Sequence, residues 1–225
     1  TYQYPFGYIF GTSSYTGGTA TTQDYYGSST GSTTSTTFYI PRSLRKVTVT
    51  GGNILRGAFY NCNNLTSVTI GNSVTSIGGY AFRYCSSLTS VTIGNSVTSI
   101  GGYAFQYCYK LIEVKNLSTL NITAGSSAYG YVGYYAKSVY KEGESYLSTD
   151  KDGYIIYDDG TDKLLMGYTG TETELTLPSG ITEIYQYAFE NCSSLASVII
   201  PDSVTSIGSS AFSGCSSLAS VIIPD

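Results

Sequence analysis

Eighteen residues, Leu65–Phe82 (LTSVTIGNSVTSIGGYAF), recur without a change as Leu88–Phe105, and Cys62, Cys85 and Cys108 keep the same step of 23. Self-similarity at a short fixed period restricts a chain to a stack of like units, because one such unit cannot bury its apolar face alone. The unit opens on Leu-x-x-Val-x-Ile. That frame recurs at Leu44-x-x-Val47-x-Val49, Leu65-x-x-Val68-x-Ile70, Leu88-x-x-Val91-x-Ile93 and Leu111-x-x-Val114. After a break it returns at Leu195-x-x-Val198-x-Ile200 and Leu218-x-x-Val221-x-Ile223. Leu175-x-Leu177 fits as well, with Glu172 in the leading position, which makes seven coils.

Alternation such as Val68/Ile70 turns both side chains to one face of a strand and Ser67 and Thr69 to the other. Gly71-Asn72 and Gly94-Asn95 then turn the chain, and Pro201-Asp202 takes that place later. Val74-x-x-Ile77-Gly78 predicts a second short strand, and Ala81-Phe82-x-x-Cys85 has the spacing of one helical turn. The unit L-x-S-V-x-I-[GP]-[ND]-S-V-T-S-I-G-x-x-A-F-x-x-C-S-S-L resembles the BspA-type leucine-rich repeat of bacterial and Trichomonas surface proteins. The match runs over residues 44–115 and 175–225.

The resemblance implies a leucine-rich-repeat solenoid, mostly β, with two short strands and one helical or 3-10 turn in each coil of about 23 residues. It also implies a secreted or surface-exposed protein, since some members adhere to host matrix proteins or to other cells. No catalytic residue comes with it, because the recurring positions are structural. Residues 1–37 depart from the pattern as a Tyr/Gly/Ser/Thr-rich N-terminal excursion, expected to be ordered or a hairpin, with Tyr15, Tyr25 and Tyr26 able to pack and Tyr8–Phe10 readable as a strand. Repeat coils occupy 38–115. Residues 116–173 read as a β-rich insertion, its two strands joined at Asp158-Asp159-Gly160. Coils resume over 174–225 and stop part-way through a repeat.

Charged residues are 12% of the chain, the net charge is −4, and there is no His. Nucleic acid, which needs concentrated Lys and Arg, is therefore not the expected partner. The usual general base and commonest metal ligand near neutral pH is missing too. No run of eighteen apolar residues suggests a membrane span, and no signal peptide is visible. A start at Thr1 reads as a mature or excised fragment. The Ser/Thr-rich, weakly charged surface points to an extracellular or cell-surface location.

Candidate chemistry is sparse. Cys62, Cys85, Cys108, Cys192 and Cys215 all hold the A-F-x-x-C slot, the mark of small buried apolar residues rather than disulfide partners, zinc ligands or nucleophiles. Ser148-x-Asp150-x-Asp152-Gly153 faintly echoes a calcium loop but has the wrong ligands and no flanking helices. Asp158/Asp159 and Glu172/Glu174 are the close carboxylate pairs that a glycan-active enzyme would need. Arg42, Arg45, Lys46 and Arg56 read as a solvated basic cluster.

The outward positions of the leading strand are more informative. Lys46/Thr48, Ser67/Thr69, Ser90/Thr92, Glu113/Lys115, Ser197/Ile199 and Ser220/Ile222 form a Ser/Thr ladder with a charged step and an apolar end. Such a regular face suits a protein or glycan ligand, for example host matrix or another cell surface. Tyr80, Tyr84, Tyr103, Tyr107, Tyr129, Tyr131, Tyr134 and Tyr135 add amphipathic area typical of binding surfaces. The expected function is non-enzymatic adhesion or binding without a cofactor or metal. A structural spacer in a longer surface protein is the alternative, with a glycan-active enzyme behind it.

Overall fold

A strand that alternates Val and Ile with Ser and Thr hides its apolar side only when further strands continue the row on both edges. The computed structural model describes residues 5–26 and 33–223. It divides into two compact units, residues 1–143 and 144–225, so the segment 116–173 falls on both sides of the boundary.

The first unit begins with a 3-10 helix (Phe6–Phe10) and an antiparallel hairpin, β1 (Gly18–Tyr26) with β2 (Thr33–Pro41). The side chains of Tyr25 and Tyr26 lie outside the described residues, and Tyr15 donates its hydroxyl to the Tyr39 carbonyl. The leading strands of the coils follow as β3 (Lys46–Gly51), β4 (Ser67–Ser73), β6 (Ser90–Ile93), β8 (Glu113–Asn116) and β9 (Ser138–Tyr140). They make one parallel sheet in that order. The second short strands, β5 (Ser76–Ile77) and β7 (Ser99–Ile100), also pair in parallel, and Ile54 bridges to Ile77.

In the second unit β10 (Leu147–Thr149), β11 (Tyr154–Asp158) and β12 (Lys163–Tyr168) form an antiparallel meander. The turn between β11 and β12 is the one expected at Asp158-Asp159-Gly160. β12 then pairs in parallel with β14 (Glu183–Ile184), and β14 with β16 (Ser206–Ile207). β13 (Glu174–Thr176), β15 (Ser197–Ile199) and β17 (Ser220–Ile222) form the sheet of leading strands.

The fold is thus a mostly β solenoid, with eight leading strands among the described residues where the repeat frame gives seven. The extra strand is β9, in the stretch that matches no repeat. Glu113 pairs with Ser138, 25 residues on rather than 23, and Ala136 stands where six of the seven coils in the frame have Leu. Tyr8–Phe10, readable as a strand, is instead the end of the 3-10 helix. Phe6 fixes it there: its N–H donates to the Ala58 carbonyl, and its ring lies 4.7 Å from that of Phe59.

The A-F-x-x-C stretch is a string of turns rather than a continuous helix. Ala58, Tyr60 and Cys62 donate N–H to the residue three back, while Gly57, Phe59 and Asn61 donate to Gly79, Ala81 and Arg83 of the next coil. Tyr80, Phe82 and Tyr84 repeat this toward Gly102, Ala104 and Gln106, as do Tyr187, Phe189 and Asn191 toward Ser209, Ala211 and Ser213. A helix would send every N–H along its own axis and leave the coils unlinked on this side. Positive φ is what turns alternate amides outward: Gly57, Asn61, Tyr80, Tyr84, Tyr103 and Tyr107 lie between +57° and +66°.

Below these turns the rings stack coil on coil. Phe59–Phe82 and Phe82–Phe105 centroids are each 4.9 Å apart, and Phe189–Phe212 in the second unit are 5.0 Å apart. Gly101 permits the close stacking, since a Cβ there would meet the Gly79 nitrogen at 2.4 Å. Phe82 is fully buried between two rings, so Phe82→Ala is expected to cost about 3–5 kcal/mol. Denaturant unfolding checks this, and an unchanged midpoint would remove Phe82 from the core.

Candidate functional site

Parallel pairing puts the outward positions of the first unit into two rows. One runs Lys46, Ser67, Ser90, Glu113, Ser138 and the other Thr48, Thr69, Thr92, Lys115, Tyr140. Inward, Val68, Ile70, Val91, Ile93 and Val114 are buried. Ser90 and Ser67 are hydrogen-bonded through their hydroxyls at 3.2 Å. The charged step is not as open as expected: Glu113 is only 2% exposed, whereas the Lys115 ammonium lies 5.8 Å from the centre of the Tyr140 ring. Of the twelve expected face residues, eight share this sheet. Ser197, Ile199, Ser220 and Ile222 share the sheet of the second unit, in rows led by Glu174 and Thr176. Ile199 and Ile222 are exposed, at 43% and 55%.

The turn stretch of the first unit presents a second face. Tyr80–Tyr103 and Tyr103–Tyr131 stack at 5.5 and 5.8 Å, and Tyr84–Tyr107 at 4.8 Å. Tyr131, Tyr134, Tyr135 and Tyr109 continue it through tilted and edge contacts. Arg83 enters this array with its guanidinium 4.8 Å from the Tyr84 ring centre and 5.2 Å from those of Tyr80 and Tyr107, and Arg56 lies 4.4 Å from Tyr80.

Charge is divided between the units. Residues 1–143 carry nine Lys or Arg and three Asp or Glu, a net of +6, while residues 144–225 carry two and twelve, a net of −10. Whole-chain composition hides this split; counting the two halves separately finds it. Arg83 likewise escapes a reading by motif, because it stands alone in sequence.

Three acidic residues of the second unit, Asp150, Asp158 and Asp159, form turns. Asp150 Oδ1 accepts the N–H of Asp152 and of Tyr154, at 3.0 and 2.9 Å. Asp158 accepts from Gly160, and Asp159 from Thr161, Asp162 and the Tyr157 hydroxyl. In both the calcium-loop echo and the Asp158/Asp159 pair, carboxylate oxygens are engaged by turn amides. Among the described residues no group of three or more His, Cys, Asp or Glu gathers to hold a metal, and no helix is long and apolar enough to cross a membrane.

No disulfide joins the five cysteines; Cys62, Cys85 and Cys108 are buried as expected, but Cys192 and Cys215 are only half-buried. The Cys85 and Cys108 thiols donate to the Phe59 and Phe82 carbonyls of the preceding coil at 3.3 and 3.1 Å, and Cys215 repeats this with Phe189. Burial pushes the Cys85 thiol up to about 12, and the thiols of Cys62 and Cys108 well above their ordinary range.

Stacked coils with a strand row, a phenylalanine ladder and a cysteine ladder define a solenoid repeat protein. Residues 30–134 and 168–225 match the model of the BspA type leucine rich repeat region in six copies, and the chain belongs to that family. No curated protein matches it in sequence. Among solved structures it is similar to a leucine rich cell surface protein of Faecalibacterium prausnitzii, at 24% identity over 89% of this chain and 67% of that one, TM-score 0.40. It is similar to a leucine rich repeat protein of T. pallidum at 22% identity, covering 83% and 61%, TM-score 0.30. It is also similar to the pneumococcal vaccine antigen PcpA at 17%, covering 80% and 60%, TM-score 0.40. The chain thus spans about three-fifths to two-thirds of each of these proteins.

The buried thiols set a pH dependence. Folding holds the Cys85 proton from about 9, its ordinary value, up to about 12. The folded state therefore has its full advantage below about pH 9 and loses it as pH climbs toward 12, by up to about 4 kcal/mol for this one group. Urea unfolding followed from pH 8 to 11 is expected to show falling stability, with a shallower fall for Cys85→Ala. Parallel slopes would contradict the assignment.

Proposed function

We propose that this chain is a non-enzymatic binding segment of a secreted or surface-displayed protein, and that it engages a protein or glycan partner through the strand face of its first unit. The observation that carries the reading is the pair of rows on β3, β4, β6, β8 and β9. They are uncharged at the centre, held in register by main-chain pairing, and flanked by Lys46, Lys115 and Tyr140. A rigid sheet with short hydroxyl side chains loses little conformational freedom when it docks, which favours binding without rearrangement. Membership of the family supports the surface location, and adhesion to matrix or to another cell is the role such a face would serve.

Arrays of extracellular matrix proteins and of glycans, probed with the whole chain, test the proposal. At least one specific interaction is expected, and none at high micromolar concentration would overturn it. Thr92→Arg, at the centre of the face, is expected to leave the melting temperature unchanged and to weaken that interaction about tenfold, the effect of a bulky charge in a docked patch. Undiminished binding would move the site elsewhere.

A further inference from the structure

The tyrosines of the turn face are not required by the fold. Positive φ at Tyr80 and Tyr84 accompanies N–H bonds to the next coil, yet Gly57 and Asn61 serve that need in the preceding coil, and Ser210 and Gly214 hold positive φ in the second unit. Glycine and asparagine adopt this conformation at far lower cost than an aromatic residue. Tyr80, Tyr84, Tyr103 and Tyr107 are therefore placed at strained positions for what their side chains present.

What they present is specific in chemistry. Stacking turns the ring faces toward one another, so a partner meets ring edges and phenol hydroxyls; Tyr84, Tyr103 and Tyr134 remain 37%, 44% and 44% exposed. Ring edges carry the positive end of the aromatic quadrupole. Among them sits Arg83, which forms no ion pair among the described residues and whose Nε is buried without an acceptor. No Asp or Glu occurs between Asp24 and Glu113, and the unit carries a net charge of +6. Cation, hydroxyls and edges all complement a carboxylate.

We infer that this tyrosine–arginine face docks an acidic polypeptide segment of a partner protein, with the Arg83 guanidinium taking its carboxylates and the tyrosine hydroxyls its backbone carbonyls. The inference rests on the reading of the chain as a binding protein but assigns a face distinct from the strand rows. A polypeptide fits better than a sugar, because sugars pack on aromatic ring faces, and here those faces are covered by neighbouring rings and guanidinium groups. Tyr and Arg are also the residues most enriched where protein interfaces concentrate their energy.

The test is titration of the whole chain with a labelled oligo-glutamate peptide, alongside oligo-glutamine and dextran sulfate. Saturable oligo-glutamate binding is expected, weaker at high salt. Arg83→Gln should reduce it about tenfold or more, and Arg83→Lys roughly threefold because an ammonium keeps the charge but not the planar fork. Thr92→Arg should not reduce it. Arg56→Gln, whose guanidinium also packs on Tyr80, should weaken binding too and serves if Arg83→Gln unfolds. Undiminished binding by the arginine variants, equal binding of oligo-glutamine, or preference for dextran sulfate would overturn the inference. So would self-association of the unliganded chain that Arg83→Gln abolishes, since a second copy's acidic unit would then be the occupant. If array partners bind Arg83→Gln normally, this inference fails and the strand-face proposal stands; if oligo-glutamate binds while the arrays stay silent, the reverse holds.

Discussion

Everything in this chain depends on main-chain hydrogen bonds that run from one coil to the next. In the strands they come with parallel pairing. In the turns they require alternate residues to leave the helical region, so that every second amide points along the stack. Because the bonds repeat at the same step from coil to coil, each residue sits above its counterpart, and like side chains form rows: Phe on Phe, Cys thiol on Phe carbonyl, Ser on Ser. A row of identical residues is the cheapest way to satisfy such a register, which is why Leu65–Phe82 and Leu88–Phe105 can be the same eighteen residues. Variation is tolerated only where the side chain leaves the stack.

A stack also needs a beginning. Each unit starts with antiparallel strands that supply what a preceding coil would have supplied. In the first unit Phe6 adds a ring to the phenylalanine ladder, and Gln23, fully buried, holds Gly7, the Tyr60 carbonyl and the Cys62 thiol together. In the second, β12 pairs with β14 as a coil strand would, and Tyr168 stands 6.3 Å from Phe189, where a phenylalanine of an earlier coil belongs. The two openings share no sequence. They solve the same problem, an apolar edge and a row of unpaired amides, by different means.

That contrast marks how far the sequence could be read. The Leu/Val/Ile frame, the turns and the buried Cys62, Cys85 and Cys108 were legible because each coil states them again, whereas Cys192 and Cys215, in the same slot, are only half-buried. β9 was not, because Ala136 and Lys141 replace the Leu and Ile of the frame and the step lengthens by two residues. The i, i+3, i+4 spacing of A-F-x-x-C correctly marked an inward face but could not distinguish a helix from alternating turns, since both bring those residues to one side. Glu113 occupies the row position that sequence assigned it, yet is covered, and burial depends on neighbours that the frame does not name. The eight tyrosines were visible as a composition; their stacking and the place of Arg83 among them follow from a backbone conformation that tyrosine rarely adopts.

Strain of that kind constrains how such a protein diversifies. The scaffold fixes where positive φ must occur, at two positions in each of several coils, and leaves the side chain there free to vary so long as it projects from the stack. Glycine, asparagine, serine and tyrosine all occur at these positions in this one chain. Tyrosine there costs more than glycine, on the order of 1 kcal/mol or somewhat more for each residue, and stacking between adjacent tyrosines returns a similar amount, about 0.5–1.5 kcal/mol for each pair. A lone tyrosine at such a site bears the whole cost, whereas a column of them recovers part of it. The column can be placed or removed coil by coil without disturbing the core, so the turn face can vary independently of the strand rows.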